Sequence, residues 1–295
     1  MKSIVMTGGT AGIGLAAADL MRRDPDVRLL VGARDPTHGD FEARSLDLSK
    51  LSSVRSFADA SGEWLGEARV DALVLNAGTQ VRSLDQRTED GFEVTFAVNH
   101  LAHYLLLRLL TPRLADGAIV VITTSNLHDP KTNSIAPPEH VDAKRLARGQ
   151  VMFSPDTKDT MAALRAYATS KLCNVLTARA LASSDLALAR NLRVIAFNPG
   201  LTPGTGLTRN HPPAVRGLFM LLGRLSQRPN TVAGGGSLLA DLALGRLAPP
   251  EGRFYASQVR RVLTWPEPSE LASDDVVMAK LWRDSGIMVG LPIAE

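Results

Sequence analysis

The chain alternates between short apolar runs and longer segments in which apolar residues recur at helical spacing. Residues 3–6, 28–32, 70–75 and 118–124 are compact, rich in Val, Ile and Leu, and each stops at a polar or glycine-containing turn. Runs without polar alternation belong to strands covered on both faces. Ser45-Leu46-Asp47-Leu48 closes a further strand, and Arg253-Phe254-Tyr255 reads as the last one. The intervening pattern predicts helices over residues 13–23, from a Ser49 cap through Val54 and Phe57, over 88–114, over 160–184, over 231–247 and over 274–283. Residues 35–44 contain Pro36 and Gly39 and are too short for a full helix. Strands alternating with helices predict an α/β fold, a Rossmann-type doubly wound parallel sheet of about seven strands. Residues 1–295 contain no repeat, linker or low-complexity tract, so one domain is the expected division.

In such a sheet ligands gather beyond the carboxyl ends of the strands. The first strand runs into Thr7-Gly8-Gly9-Thr10-Ala11-Gly12-Ile13-Gly14. Glycines at 8, 12 and 14 allow a tight turn, close approach of a pyrophosphate and close packing of the next helix, whose N-terminus favours phosphate. The spacing is a variant of the dinucleotide fingerprint; a glycine turn without a ligand is the competing reading. Arg34 follows the second strand, where a basic residue suits a 2'-phosphate and an acidic one a 2'-hydroxyl. NADP(H) is therefore expected over NAD(H), against the alternative of an ordinary surface arginine. Asp47, Asn76 and Ser125 also fall at strand ends.

The segment from Thr157 to Phe197 lacks Gly and Pro, and helix over 160–184 puts Tyr167 and Lys171 at i and i+4 on one face. An ammonium group beside a phenol favours the phenolate and lowers its pKa. An amphipathic core helix with an incidental Tyr and Lys is the plainer alternative. Asn99 is a polar amide in the middle of an apolar helix. His100 and His103 lie at i and i+3, but zinc usually takes three protein ligands and Glu93 is two turns back, so packed or hydrogen-bonded histidines are expected and no metal site. Cys173 is two residues past Lys171, off that helix face, and reads as a buried thiol.

Composition narrows the classes further. At 295 residues, 45% hydrophobic and 21% charged, the chain is an ordinary globular one. A net charge of +3 without basic blocks gives no reason to expect nucleic-acid binding. One cysteine leaves no disulfide framework and no CxxC metal site, and fits a reducing compartment. The start Met-Lys-Ser-Ile-Val-Met carries no signal-peptide pattern and no apolar run is long enough to span a bilayer, so a soluble cytoplasmic protein is expected.

Together with Ala-Arg-Asp, Leu-Asp-Leu-Ser, Asn-Ala-Gly, Val-Asn-His-Leu-Ala-His-Tyr-Leu-Leu, Thr-Ser, Tyr-Ala-Thr-Ser-Lys-Leu-Cys-Asn, Asn-Pro-Gly and a C-terminal Leu-Trp-Arg-Asp-Ser-Gly-Ile-Met-Val-Gly-Leu, the glycine turn resembles the short-chain dehydrogenase/reductase family. The resemblance is closer to its retinol-dehydrogenase-like and protochlorophyllide-reductase-like branch, and covers nearly the whole chain. It implies a catalytic tetrad of Asn99, Ser125, Tyr167 and Lys171. It implies cofactor contacts from Gly8, Thr10, Gly12, Ile13, Gly14, Arg34, Asp47, Leu48, Asn76, Ala77, Gly78, Tyr167, Lys171 and the Pro199-Gly200 turn. Tyr167 would exchange a proton with the substrate oxygen while Ser125 holds that oxygen. Lys171 would lower the phenol's pKa and hold the nicotinamide ribose, and Asn99 would fix a backbone group and a water.

Two departures from compact family members stand out. Residues 126–159 form an insertion with four prolines, read as a short helix around 141–148 laid over the catalytic helix or the pocket rim. Covering the surface through which relatives associate would make the protein a monomer. Residues 201–230 carry Leu218, Phe219, Met220, Leu221, Leu222 and Leu225, read as an apolar lid, with a membrane-surface helix or plain core packing as alternatives. The expected activity is NADP(H)-dependent reduction of a ketone or aldehyde on a bulky, largely apolar small molecule. Reduction of an activated C=C bond and a non-catalytic NADP(H)-binding sensor are the alternatives.

Overall fold

The structure, a computed structural model, describes residues 1–37, 41–133, 135–151, 159–203 and 230–292. The first strand, β1 (Lys2–Thr7), is buried from Ser3 onward and feeds the glycine turn, from which α1 (Gly12–Met21) departs. Then follow β2 (Val27–Ala33), β3 (Glu42–Ser45), α2 (Leu51–Leu65) and β4 (Val70–Leu75). A helical column of α3 (Val94–Phe96), a π-turn (Ala97–Leu101) and α4 (Ala102–Leu110) leads to β5 (Leu114–Thr123). The remaining elements are α5 (Ala143–Ala147), α6 (Asp159–Ala182), α7 (Asp185–Ala189), β6 (Arg193–Asn198), α8 (Val232–Ala243), β7 (Tyr255–Val259), β8 (Val262–Thr264) and α9 (Asp275–Met288).

Among the described residues one sheet runs β3-β2-β1-β4-β5-β6-β7-β8. Every neighbouring pair is parallel except β7 with β8. Strand order reverses between β1 and β4, where Thr7 lies beside Gly32 and Leu75, which places a crevice beyond their carboxyl ends. Because the strands are apolar on both faces, two cores form. One gathers Phe57, Leu105, Leu172 and Leu176 on the side of α2, α4 and α6; the other gathers Ile13, Ala17, Leu239 and Leu242 on the side of α1 and α8. The close crossing of α1 and α8 explains Gly235 and Gly236, while Gly234 faces Thr231, whose hydroxyl accepts its N–H at 3.0 Å. A Cβ on Gly236 would sit 2.5 Å from that of Ala16, and one on Gly235 would press on Ile13 at 3.2 Å.

Several expectations need correction. The parallel part of the sheet has the seven strands expected, and the chain turns back after β7 through Arg260 and Arg261, both with positive φ, to add an antiparallel eighth, β8. The last strand is therefore not the one beginning at Arg253. Helix over 88–114 is shorter at both ends: Gly91, at φ +84°, breaks the chain, and Glu93 caps the column by accepting from Thr95 N and Phe96 N, each at 2.8 Å. At its other end Pro112 sits in a single 3-10 turn and Leu114 already opens β5. Ser49 does not cap α2; its hydroxyl donates to Asp47 Oδ1 at 2.7 Å, and the first α2 amide, Leu51 N, donates to Asp90 Oδ2 at 3.0 Å.

The insertion is a packing element over its described length. Asn133 knits its loop through Leu127 O, Ala136 O and Ala136 N, and Asp142 caps α5, whose Ala143, Leu146 and Ala147 are buried. Arg165 of α6 pairs with Glu139 at 2.6 Å and Lys280 of α9 with Asp142 at 3.1 Å. The lid expected over 201–230 lies, from residue 204 to 229, outside the described residues.

Candidate active site

The site begins at the end of β1. Gly8 adopts φ +69°, open to glycine, and an added Cβ would meet Ala77 Cα at 2.6 Å. A Cβ on Gly14 would overlap the Gly8 carbonyl oxygen. The glycine turn and the Asn76-Ala77-Gly78 turn after β4 therefore lie in contact, and Asn76 Nδ2 donates to Gly8 O at 3.1 Å. The N-cap of α1, Ala11, supplies no side-chain cap and the first turn holds no acid, so its amides are left to an anion. A backbone cradle that no Cβ would fit, at an uncapped helix N-terminus, suits a dinucleotide pyrophosphate. Thr10 and Arg34 are exposed on the rim, Arg34 one residue past β2. Asp47 and Leu48 follow β3, Asp47 being tied by Ser49 N at 3.0 Å. Gly200, φ +66°, takes an N–H bond onto Asn198 Oδ1 at 2.9 Å, and Asn230 Nδ2 donates to Pro199 O at 3.0 Å.

The four expected catalytic residues come from three places in the chain, the end of β5, the π-turn and α6, and converge. Ser125 follows β5; its hydroxyl accepts from Leu127 N at 3.3 Å, and it hydrogen-bonds the Tyr167 phenol of α6. Lys171, one turn on, donates to Thr123 O at 3.1 Å, a carbonyl shared with Asn174 Nδ2. Asn99 lies in the π-turn, a device found at functional sites. Its amide grips Thr79 at both ends, accepting from Thr79 N at 2.7 Å and donating to Thr79 O at 2.9 Å, and also donates to Ser170 Oγ at 3.0 Å. Ser170 in turn donates to Tyr167 O at 2.7 Å. A Cβ on Gly78 would sit 3.3 Å from Lys171 Nζ and 3.4 Å from Asn99 Oδ1, so the β4 turn touches the tetrad directly.

The electrostatics correct one expectation. Lys171 was expected to make Tyr167 acidic, but burial pushes the phenol's pKa up, and only the Ser125 contact acts the other way. Lys171 Nζ lies 5.8 Å from the phenol ring centroid, and burial brings its own pKa down to about 8. Desolvation is the largest influence on both groups, and it favours the neutral form of each.

His100 and His103 are buried and hydrogen-bonded. His100 Nε2 meets Ser285 Oγ at 2.8 Å, and His103 meets Thr7 Oγ1 at 2.9 Å and Asn99 O at 3.1 Å. Burial lowers their pKa values to about 3 and about 4. Cys173 is buried, its thiol pushed upward by desolvation. Thr7, Thr79, Thr123 and Asn174 were not singled out in the sequence. Only Thr7 left a signal there, as a polar residue closing an apolar strand. Past the ends of β5, β6 and β7 opens a cleft of about 460 Å³ bordered by Asn126, Asp129, Gly200, Leu201, Tyr255 and Gln258, with both polar and apolar surface.

A glycine turn at an uncapped helix N-terminus, beside a half-buried Ser and a buried Tyr and Lys, is the arrangement expected of a dinucleotide-dependent oxidoreductase. A short chain dehydrogenase family model matches residues 2–136. The chain is 32% identical over 311 residues to dehydrogenase/reductase SDR family member 13 of Homo sapiens, spanning 100% of this chain and 74% of that protein. It is 27% identical to protochlorophyllide reductase A, chloroplastic, of Hordeum vulgare, spanning 98% and 80%. A crystal structure of a putative uncharacterized protein from Mycobacterium paratuberculosis superposes with TM-score 0.68 at 26% identity, over 100% and 96% of the chains. The chain belongs to the short-chain dehydrogenase/reductase family, whose members are oxidoreductases that bind nicotinamide cofactors. No helix among the described residues is long and apolar enough to cross a membrane.

Proposed function

We propose that the protein is an NADP(H)-dependent reductase of a carbonyl group on a small molecule. The observation that carries this reading is the meeting of Ser125, Tyr167, Lys171 and Asn99 beside the glycine cradle. A bound nicotinamide cofactor would supply the hydride. Gly8, Gly12, Ile13 and Gly14 would hold its pyrophosphate, Asn76, Ala77, Gly78 and Pro199-Gly200 would wall its groove, and Asp47 and Leu48 would border its adenine end. Exposed Arg34, past β2, supports a 2'-phosphate and hence NADP(H), with NAD(H) as the weaker ligand.

Tyr167 donates the proton that a carbonyl oxygen acquires on reduction; burial keeps the phenol protonated while making it a weaker acid. Ser125 hydrogen-bonds the same oxygen, more strongly as negative charge develops. Lys171, cationic below about pH 8, adds positive potential behind the phenol. Asn99 holds the Thr79 backbone and, through Ser170, the main chain of Tyr167. The cleft past β5, β6 and β7 is reached from the tetrad through Asn126, the residue after Ser125, and its mixed apolar and polar walls suit a substrate with both kinds of surface. The protein acts as a single domain and as a monomer, because α9 covers the outer sides of α4 and α6 through Trp282 O to Tyr104 OH, 2.8 Å, and Asp275 to Arg179, 2.6 Å.

The test is NADPH consumption with a panel of ketones and aldehydes, run beside Tyr167→Phe. Loss of the general acid should slow turnover by roughly 10²–10⁴-fold. Equal rates in the two proteins would remove the carbonyl mechanism. An α,β-unsaturated ketone in the panel, with its products identified, distinguishes reduction of C=C from reduction of C=O.

A further inference from the structure

His103 makes a pair of contacts that the tetrad does not account for. Thr7 Oγ1 receives two backbone N–H bonds, from Asn76 N at 3.0 Å and from Ala77 N at 3.2 Å. A hydroxyl has two acceptor positions and one hydrogen, so both acceptor positions are taken and its hydrogen goes to the remaining neighbour, His103 Nε2 at 2.9 Å. Nε2 is then the acceptor and Nδ1 carries the ring proton. Nδ1 lies 3.1 Å from the Asn99 main-chain oxygen, to which it donates. A second proton on the ring would set a donor against the filled Thr7 oxygen. Burial and the charge of Lys171 oppose it too, and bring the ring's pKa to about 4.

We propose that His103 is a positioning residue: in its Nδ1-protonated tautomer one edge of the ring locks the cofactor turn through Thr7, and the other sets the Asn99 carbonyl in the π-turn. The proposal rests on the reading that these turns hold the nicotinamide cofactor. Each edge has a separate consequence. On the Nε2 side, Thr7 fixes the Asn76 and Ala77 amides, and Ala77 is packed against Gly8, so this edge governs the cradle. On the Nδ1 side, Asn99 is the residue that grips Thr79 and, through Ser170, the Tyr167 backbone, so this edge governs proton donation. Neither contact touches substrate.

Two substitutions separate the edges. The side-chain amide nitrogen of Asn can replace Nδ1 and the amide oxygen of Gln can replace Nε2. His103→Asn should weaken NADPH binding about tenfold, the loss of one buried hydrogen bond, while kcat stays within about twofold. His103→Gln should lower kcat about tenfold with NADPH affinity within about twofold. NADPH affinity is read by fluorescence titration and kcat with whichever carbonyl compound the wild type reduces. Long-range proton–nitrogen NMR on histidine-labelled wild type should show a ring protonated at Nδ1. Parallel losses in both variants, no change in either, or an Nε2-protonated ring would overturn the proposal. Should a variant fail to fold, Thr7→Val, which removes the hydroxyl and keeps the ring, carries the affinity measurement. A wild type that binds NADPH but reduces no carbonyl compound would remove the functional reading, and the NMR and affinity results would still decide the role of His103.

Discussion

Replacing Lys171 with Met should make the protein more stable and less active. The stem of Lys171 is packed inside α6 and its ammonium is desolvated, so its pKa falls from 10.5 to about 8. At about 1.4 kcal/mol for each tenfold change in proton affinity, that gap corresponds to about 3 kcal/mol of destabilisation when the group is charged. Met keeps the stem's packing and removes the charge. One hydrogen bond to Thr123 O is lost, about 1 kcal/mol, but that carbonyl still receives Asn174 Nδ2 at 3.1 Å and is not orphaned. The net gain at neutral pH is about 2 kcal/mol. Its pH dependence has a definite sign. Below about pH 8 the group is charged in both folded and unfolded chains and the penalty is fully present; between about 8 and 10.5 the folded chain gives up its proton first and the penalty fades; above that window it is gone. Urea denaturation of wild type and Lys171→Met across pH 7 to 10.5, without added nucleotide, measures the difference directly. Equal stability at pH 7, or a difference that does not shrink through the window, would refute the desolvation argument.

Two further outcomes follow from separate parts of the molecule. Arg34→Ala should raise the KM for NADPH about tenfold and leave that for NADH nearly unchanged, because a guanidinium bond to a phosphate is worth about 1.5–3 kcal/mol; steady-state kinetics with both nucleotides checks it, and equal effects on the two would remove Arg34 from the 2'-phosphate site. Gly236→Ala should destabilise by about 1–3 kcal/mol, since its Cβ would lie 2.5 Å from that of Ala16 and force α1 and α8 apart. Urea denaturation reads that loss, whereas Gly252→Ala, with nothing within 4 Å but φ +72°, should reflect backbone strain alone.

How much of this was legible in the sequence depends on the range of the interactions involved. The strand over 70–75 is found where the apolar run places it, because five of its six residues are apolar and buried, and the sixth, Asp71, is used up in accepting from Ser3 N at 2.7 Å. The catalytic helix was legible from the lack of Gly and Pro between Thr157 and Phe197. The start of the column bearing Asn99 was not. Thr88 and Glu89 look like a helix start, but Glu93 caps from within the pattern, and the π-turn at Ala97–Leu101 has no sequence signature. The β7–β8 hairpin was hidden for a related reason: its turn puts two arginines at φ 49° and 69°, where a reader expects Gly or Asn. Gly235 and Gly236 looked odd until α1 was brought against them, a contact more than two hundred residues away in the chain.

The phenol shows the same limit in its chemistry. Spacing places Tyr167 and Lys171 together, and two opposite charges at short range favour the phenolate, which is as far as pairwise reasoning goes. The folded chain adds desolvation of both groups, a lysine that gives one of its three donors to Thr123 O, and a serine as the phenol's own partner. These move the pair toward a neutral phenol beside a cation that persists to about pH 8. A group that must give a proton to a developing alkoxide works best when it holds that proton until the charge appears, with the positive potential already in place behind it. An alcohol dehydrogenase running in the other direction would need the phenolate first, and in this arrangement phenolate is the form that burial disfavours. The geometry of the pair is common to both directions, and the proton that the phenol gives in reduction is the one it takes back in oxidation.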